Sequence, residues 1–156
     1  MSANGQFINL DHPVRCRGNI TAWHLCYYPD DSGSFRIWFR VWRPTADSNS
    51  FTRLHNDDRT ITQIGSNRDL VCENVTLAAD DYVQVESNDV IGVYIPSFTS
   101  TSVIGVYEAP QLGEGVYHDT RNSISPFLGS SVDRSDLTVV ENAKLYLNAD
   151  ISKSYI

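Results

Sequence analysis

Phe35-Arg36-Ile37-Trp38-Phe39-Arg40-Val41-Trp42-Arg43 alternates without a break. In an extended strand successive side chains point to opposite faces. Phe35, Ile37, Phe39 and Val41 therefore share one face, which reads as core. Arg36, Trp38, Arg40 and Trp42 share the other, which is aromatic and cationic together. Pro44 ends the strand because it cannot donate to a ladder. Just before it, Pro29-Asp30-Asp31-Ser32-Gly33-Ser34 is a turn, with Pro and Gly supplying the backbone angles and Asp and Ser the local caps. The preceding run, within Val14 to Tyr28 and starting near Asn19 or Ile20, is the next strand outward. The two are expected to form a hairpin.

The same grammar continues in both directions. Phe7 to Leu10 reads as an opening strand, with Asp11-His12-Pro13 as a turn. Ser50 to Leu54, Thr60 to Ile64, Leu70 to Leu77, Tyr82 to Val85, Val90 to Ile95 and Ser102 to Tyr107 are short apolar or β-branched runs. Ala78-Ala79-Asp80-Asp81 and Glu86-Ser87-Asn88-Asp89 are turns. Pro110 to Gly115 has the composition of a loop, and His118 to Asp136 is weakly patterned and reads as a surface excursion. Leu137 to Val140 and Lys144 to Ile151 read as a closing hairpin. Helical periodicity is nearly absent. Nine or ten short strands at this spacing predict an all-β chain, two packed antiparallel sheets in a jelly-roll-like β-sandwich. No linker or repeat divides residues 1–156, so one domain is expected.

Composition narrows the function. The chain has 156 residues, 41% of them hydrophobic and 20% charged, enough for one sizeable core. Its net charge of −7 argues against nucleic acid and anionic lipid as partners. No apolar run approaches the roughly 18 residues of a membrane helix, so no membrane insertion is expected. Of twelve basic residues only Lys144 and Lys153 are lysine. Arginine holds planar, forked contacts better than lysine, which hints at fixed pairs between loops or chains.

Cys16, Cys26 and Cys72 make an odd count, without zinc spacing. Any two of them can form a disulfide, and one thiol is then left over. Asn19-Ile20-Thr21 and Asn74-Val75-Thr76 are glycosylation sequons, each near a cysteine, and lean toward an extracellular location. No signal peptide is visible, and Met1 to Gln6 is polar and reads like a start codon placed before a mature domain.

Three segments together resemble a poorly characterised extracellular module of marine invertebrates, of sponge and cnidarian type. They are Gly18-Asn19-Ile20-Thr21-Ala22-Trp23-His24-Leu25-Cys26-Tyr27-Tyr28, then Val41-Trp42-Arg43-Pro44, then Val85-Glu86-Ser87-Asn88-Asp89-Val90-Ile91-Gly92-Val93-Tyr94-Ile95. In those proteins G-x-[IV]-x-x-W precedes V-W-R-P, and a segment like D-V-I-G follows. The resemblance covers roughly Val14 to Ile95. It implies a secreted β fold and assigns no chemistry. Some members carry a further cysteine near the position of Val93, and its absence here would leave one of the three cysteines unpaired. On physical grounds alone, Gly92 within a strand marks a close approach of another backbone or an aromatic ring, and Trp42 is placed to cover an open end of the sandwich.

The candidate sites follow. Arg36, Trp38, Arg40 and Trp42 form a ligand or partner face, with Trp23, Tyr27 and Tyr28 as further aromatics. Sugar C–H faces pack on such rings, and Trp, Tyr and Arg dominate protein interfaces. The competing reading is that a second sheet or a loop covers these rings. Asp30 and Asp31, and Asp57 and Asp58, lie in acid-rich stretches that read as turns, where calcium is a candidate ligand. The competing reading is plain solvated turn chemistry. His12, His24, His55 and His118 are dispersed, and no hydrolase or nucleotide motif occurs. The reading that results is a non-enzymatic extracellular structural or adhesion module, acting by self-association or on a matrix protein. The alternative is a lectin-like carbohydrate-binding domain, calcium-assisted or not. A polysaccharide hydrolase, the third reading, needs two carboxylates flanking the bond, and the sequence pattern does not single out such a pair.

Overall fold

A computed structural model describes residues 5–10, 13–27, 34–62, 71–95, 106–108, 116–119, 131–140, 143–145 and 147–153. Among them the fold is antiparallel β throughout, with short 3-10 turns at Ala79–Asp81 and Arg134–Asp136 and no α-helix. The strands are β1 (Gly5–Ile8), β2 (Gly18–Tyr27), β3 (Ser34–Pro44), β4 (Ser50–Thr62), β5 (Val71–Thr76), β6 (Val83–Val85), β7 (Val90–Ile95), β8 (Val106–Glu108), β9 (Val116–Asp119), β10 (Ser131–Asp133), β11 (Leu137–Val140), β12 (Ala143–Leu145) and β13 (Leu147–Lys153). A seven-stranded sheet runs β10-β4-β3-β7-β1-β9-β11. A four-stranded sheet runs β13-β2-β5, with β6 continuing beside β2. β8 and β12 pair separately.

One core draws on both sheets. Phe7, Ile37, Phe39, Val41, Ile61, Ile91 and Val93 come from the larger sheet; Ile20, Trp23, Leu25, Tyr27, Val83, Val85 and Leu147 come from the smaller. Trp23 stacks on Phe39 with ring centroids 5.0 Å apart, and Tyr27 meets Phe35 edge-on at 5.2 Å. The expected inward set of β3 is thus core-facing. Fully burying one side chain of this kind contributes about 1.5–3 kcal/mol.

Two bulges shift the alternation. Ala22 pairs with Asp150 but Ile20 with Ile151, so Thr21 is an extra residue in β2. Gly18 and Ile20 point inward before it, and Trp23, Leu25 and Tyr27 after it. Val41 pairs with His55 but Trp42 with Arg53, so Leu54 is the extra residue in β4. That slip carries Phe51 and Arg53 onto the same face as Trp42. A second core forms there from Ile8, Trp42, Phe51, Val90 and Val132.

Several expectations change. β2 and β3 do not form a hairpin: they lie in different sheets, and β3 instead turns through residues 45–49 into β4. β4 is one strand of 13 residues where two short strands and a turn were expected. Its Asn56-Asp57-Asp58 centre stays extended because β3 supplies complementary neighbours, pairing Arg40 with Asn56 and Trp38 with Asp58. The 137–151 region is not a closing hairpin, since β11 joins β9, β12 joins β8 and β13 joins β2. The weakly patterned 118–136 stretch contains β10, whose Val132 is buried against the Trp42 cluster. The turns at 78–81 and 86–89 and the strand Val90–Ile95 are where the sequence put them. The expected turn residues 11–12 and 29–33, the loop 110–115 and residues 120–130 lie outside the described residues.

Candidate functional site

The cationic face of β3 divides into a rim and an interior. Arg36 is exposed and ion-paired with Asp58 across the β3–β4 ladder. Trp38 is half-buried beside Tyr94, with ring centroids 4.9 Å apart and planes tilted by 53°. Arg40 is fully buried. Its guanidinium lies 5.2 Å from the Trp38 ring and 4.7 Å from that of Tyr94, and its Nε donates to Asn56 Oδ1 at 2.8 Å. Trp42 is 1% exposed within the second core. The proposed partner face is therefore corrected. Arg40 and Trp42 are interior residues, Arg40 against the Trp38 and Tyr94 rings and Trp42 within the second cluster. Of the four, only Arg36, exposed, and Trp38, half-buried, remain for a ligand. Trp23 and Tyr27 are core residues too, and Tyr28 lies outside the described residues.

Asp57 and Asp58 do not form a cation site together. Adjacent strand residues point to opposite faces. Asp57 sits over the main core, accepts from Trp23 Nε1 at 3.3 Å and pairs with Arg59 at 2.8 Å. Asp58 projects to the other side, onto Arg36. Among the described residues no three His, Cys, Asp or Glu gather as metal ligands would. Asp30 and Asp31 lie outside the described residues.

Asp89 is buried and holds the turn before β7. It receives a forked pair of bonds from Arg43, at 2.8 and 2.9 Å, and the Glu86 backbone N–H at 2.8 Å. This is the fixed, planar arginine contact that the Arg-rich composition suggests. The motif stretches Val-Trp-Arg-Pro and Asn-Asp-Val-Ile-Gly meet in this contact. Gly92 is required by packing: an ideal Cβ there lies 2.4 Å from the Phe7 carbonyl oxygen.

The outer face of the four-stranded sheet is different. Cys26 and Cys72, directly opposed in β2 and β5, form a disulfide on it. Cys16 is the leftover, half-exposed thiol. Two residues along, His24 bridges three strands. Its Nδ1 donates to Asn74 Oδ1 of β5, and its Nε2 lies 2.8 Å from Asp150 Oδ1 of β13. Those acceptors hold the imidazole's pKa above its ordinary value, the Asn74 bond contributing most. Of the two sequon asparagines, Asn74 is exposed on this face and Asn19 is half-buried in the central strand. Sequence reading did not find the His24 bridge, since its partners lie 50 and 126 positions away along the chain.

β13 forms the rim of this sheet. Among the described residues it pairs with β2 alone, leaving its other edge open. An open depression elsewhere is lined by Asn49, Ser50, Asp133, Arg134 and Ser135, and its polar groups engage their neighbours: Ser50 Oγ donates to Asp133, and the Arg134 guanidinium lies over the Phe51 ring. Among the described residues no helix is long and apolar enough to cross a membrane. Compared with known protein families, with curated protein sequences and with solved structures, the chain finds no match in any of the three.

Proposed function

We propose that this chain is a non-enzymatic extracellular module, a jelly-roll-like sandwich that works by associating with other protein chains, its own kind or a matrix protein. The observation that carries the reading is β13, a seven-residue strand that among the described residues pairs on one side only. Such an edge presents unpaired backbone donors and acceptors and is a ready template for another strand. The disulfide supports an oxidising compartment. The resemblance of the 18–28, 41–44 and 85–95 segments to a secreted module favours the same location. The acid–base contacts also suit a structural role, since Arg43–Asp89, Arg36–Asp58 and the His24 bridge each tie one strand or turn to another.

Light scattering on the native, unreduced chain tests this, in calcium and then in chelator. An assembly larger than the monomer is expected. Asn148→Lys with Ser152→Lys, both at exposed β13 positions, should disperse it by placing charge along the edge. A chain that stays monomeric at every concentration and captures no matrix protein overturns the proposal.

A second reading keeps the lectin-like alternative. Trp38 and Tyr94 leave partly exposed rings beside Arg36, Asp58 and Asn56, the mixture that sugar binding uses. Quenching of tryptophan fluorescence by a glycan, lost in Trp38→Phe, supports it. A glycan array without hits, with and without calcium, rejects it.

A further inference from the structure

We infer that Asn74, and not Asn19, is the N-glycosylated asparagine of this chain, and that its glycan caps the β5 edge of the four-stranded sheet. The inference rests on the extracellular reading above. Both sequons satisfy the Asn-x-Thr pattern, and the fold separates them. Asn19 lies in the middle strand, paired with Gln84 of β6 on one side and Ser152 of β13 on the other, and is half-buried. Its threonine, Thr21, is the bulged residue, with its hydroxyl on the Asp150 carbonyl at 3.5 Å. Asn74 lies on β5, which among the described residues pairs with β2 alone, and both Asn74 and Thr76 are exposed.

The contact Asn74 makes is compatible with the modification. Its Oδ1 meets His24 Nδ1, and N-glycosylation uses the amide nitrogen. In that reaction the Asn74 Nδ2 attacks C1 of an oligosaccharide carried on a polyprenyl diphosphate. An N–C bond forms, the C–O bond to the diphosphate breaks, the amide loses one proton and the lipid diphosphate leaves. The product keeps Oδ1 as an acceptor, so the His24 bridge survives the modification. With a glycan over β5, β13 stays accessible as an edge of this sheet among the described residues.

The test is secretion of the full chain behind a cleavable signal from a eukaryotic host, followed by glycopeptide mass spectrometry. One glycan is expected, on the peptide containing Asn74. Asn19→Gln should leave the mass shift unchanged. Thr76→Ala should remove it while keeping the Asn74–His24 contact, so loss of the glycan is separable from loss of the fold. An unmodified Asn74 in folded, secreted protein, or a glycan at Asn19, overturns the inference. The outcome is independent of light scattering: a glycosylated monomer rejects the association reading alone, and an assembly with bare Asn74 rejects this one alone.

Discussion

The second face of the larger sheet and the outer face of the smaller one carry similar polar residues and treat them oppositely. On the larger sheet, Arg40 and Arg53 are buried with Trp42. On the smaller sheet, His24, Asn74 and Asp150 stay at the surface and are held by each other and by a disulfide. The lesson is that alternation assigns a side chain to a face but does not say whether that face meets water. Guanidinium between aromatic rings tolerates burial; a network of imidazole, amide and carboxylate braces an exposed sheet at small gain per contact.

The largest effect should come from opening the buried face. Trp42→Ala removes the biggest side chain of the second core and should cost about 3–5 kcal/mol in urea denaturation. A cost below about 1 kcal/mol, the scale of an ordinary exposed substitution, would show that face to be open. Iodide gives the gentler check. Of the three tryptophans, Trp23 and Trp42 are buried and Trp38 is half-buried, so Trp38→Phe should abolish most quenching.

The exposed face should break more cheaply. Replacing Cys26 and Cys72 by alanine opens a link between residues 46 apart. The chain-entropy argument gives at most about 4 kcal/mol for a closure of that length, and measured losses are commonly about 2–4 kcal/mol. The core side of β2 is untouched, so the double variant should remain folded by circular dichroism at room temperature. Equal stability of oxidised and reduced wild type would remove the disulfide from the account.

This contrast also explains what was legible in the sequence. The inward set of β3, the turn at 86–89 and the packing need at Gly92 rest on local pattern, and local pattern is written within ten residues. The burial on the cationic face, the placing of β2 and β3 in different sheets and the extended middle of β4 escape local pattern for a shared reason. Each depends on what lies across the sheet. Asn56 and Asp57 are poor strand residues in isolation, and only Arg40, Trp23 and Arg59 make them suitable there. The bulges at Thr21 and Leu54 carry no marker such as Gly. The Cys26–Cys72 pairing was one of three open choices, decided by the register of β2 on β5.

The smallest effect concerns protons, and it separates the outer face of the smaller sheet from the core side of the larger one by sign. His24, on the exposed sheet, has its pKa raised by Asn74 and Asp150. Its contribution is fully present below the unfolded value near 6.5 and is lost as pH rises through the folded value. His55 lies on the main-core side of β4, opposite Val41, with its pKa lowered chiefly by burial; Asp57 opposes that shift and Arg59 adds to it. Its contribution is present above the unfolded value and is lost as pH falls through the folded one. In the wild type the two slopes oppose each other between acid and neutral pH. His24→Gln should therefore leave a chain that loses stability mainly toward acid, and His55→Gln one that loses it mainly toward alkali. The His24 change should stay under about 1 kcal/mol, because the bridge is partly solvated. Imidazole titration by NMR decides the point directly: His24 should titrate above 6.5 and His55 below it. Two midpoints on the same side would mean that the two histidines share one environment, and the contrast between the exposed, braced face of the smaller sheet and the buried core side of the larger one would fail at those residues.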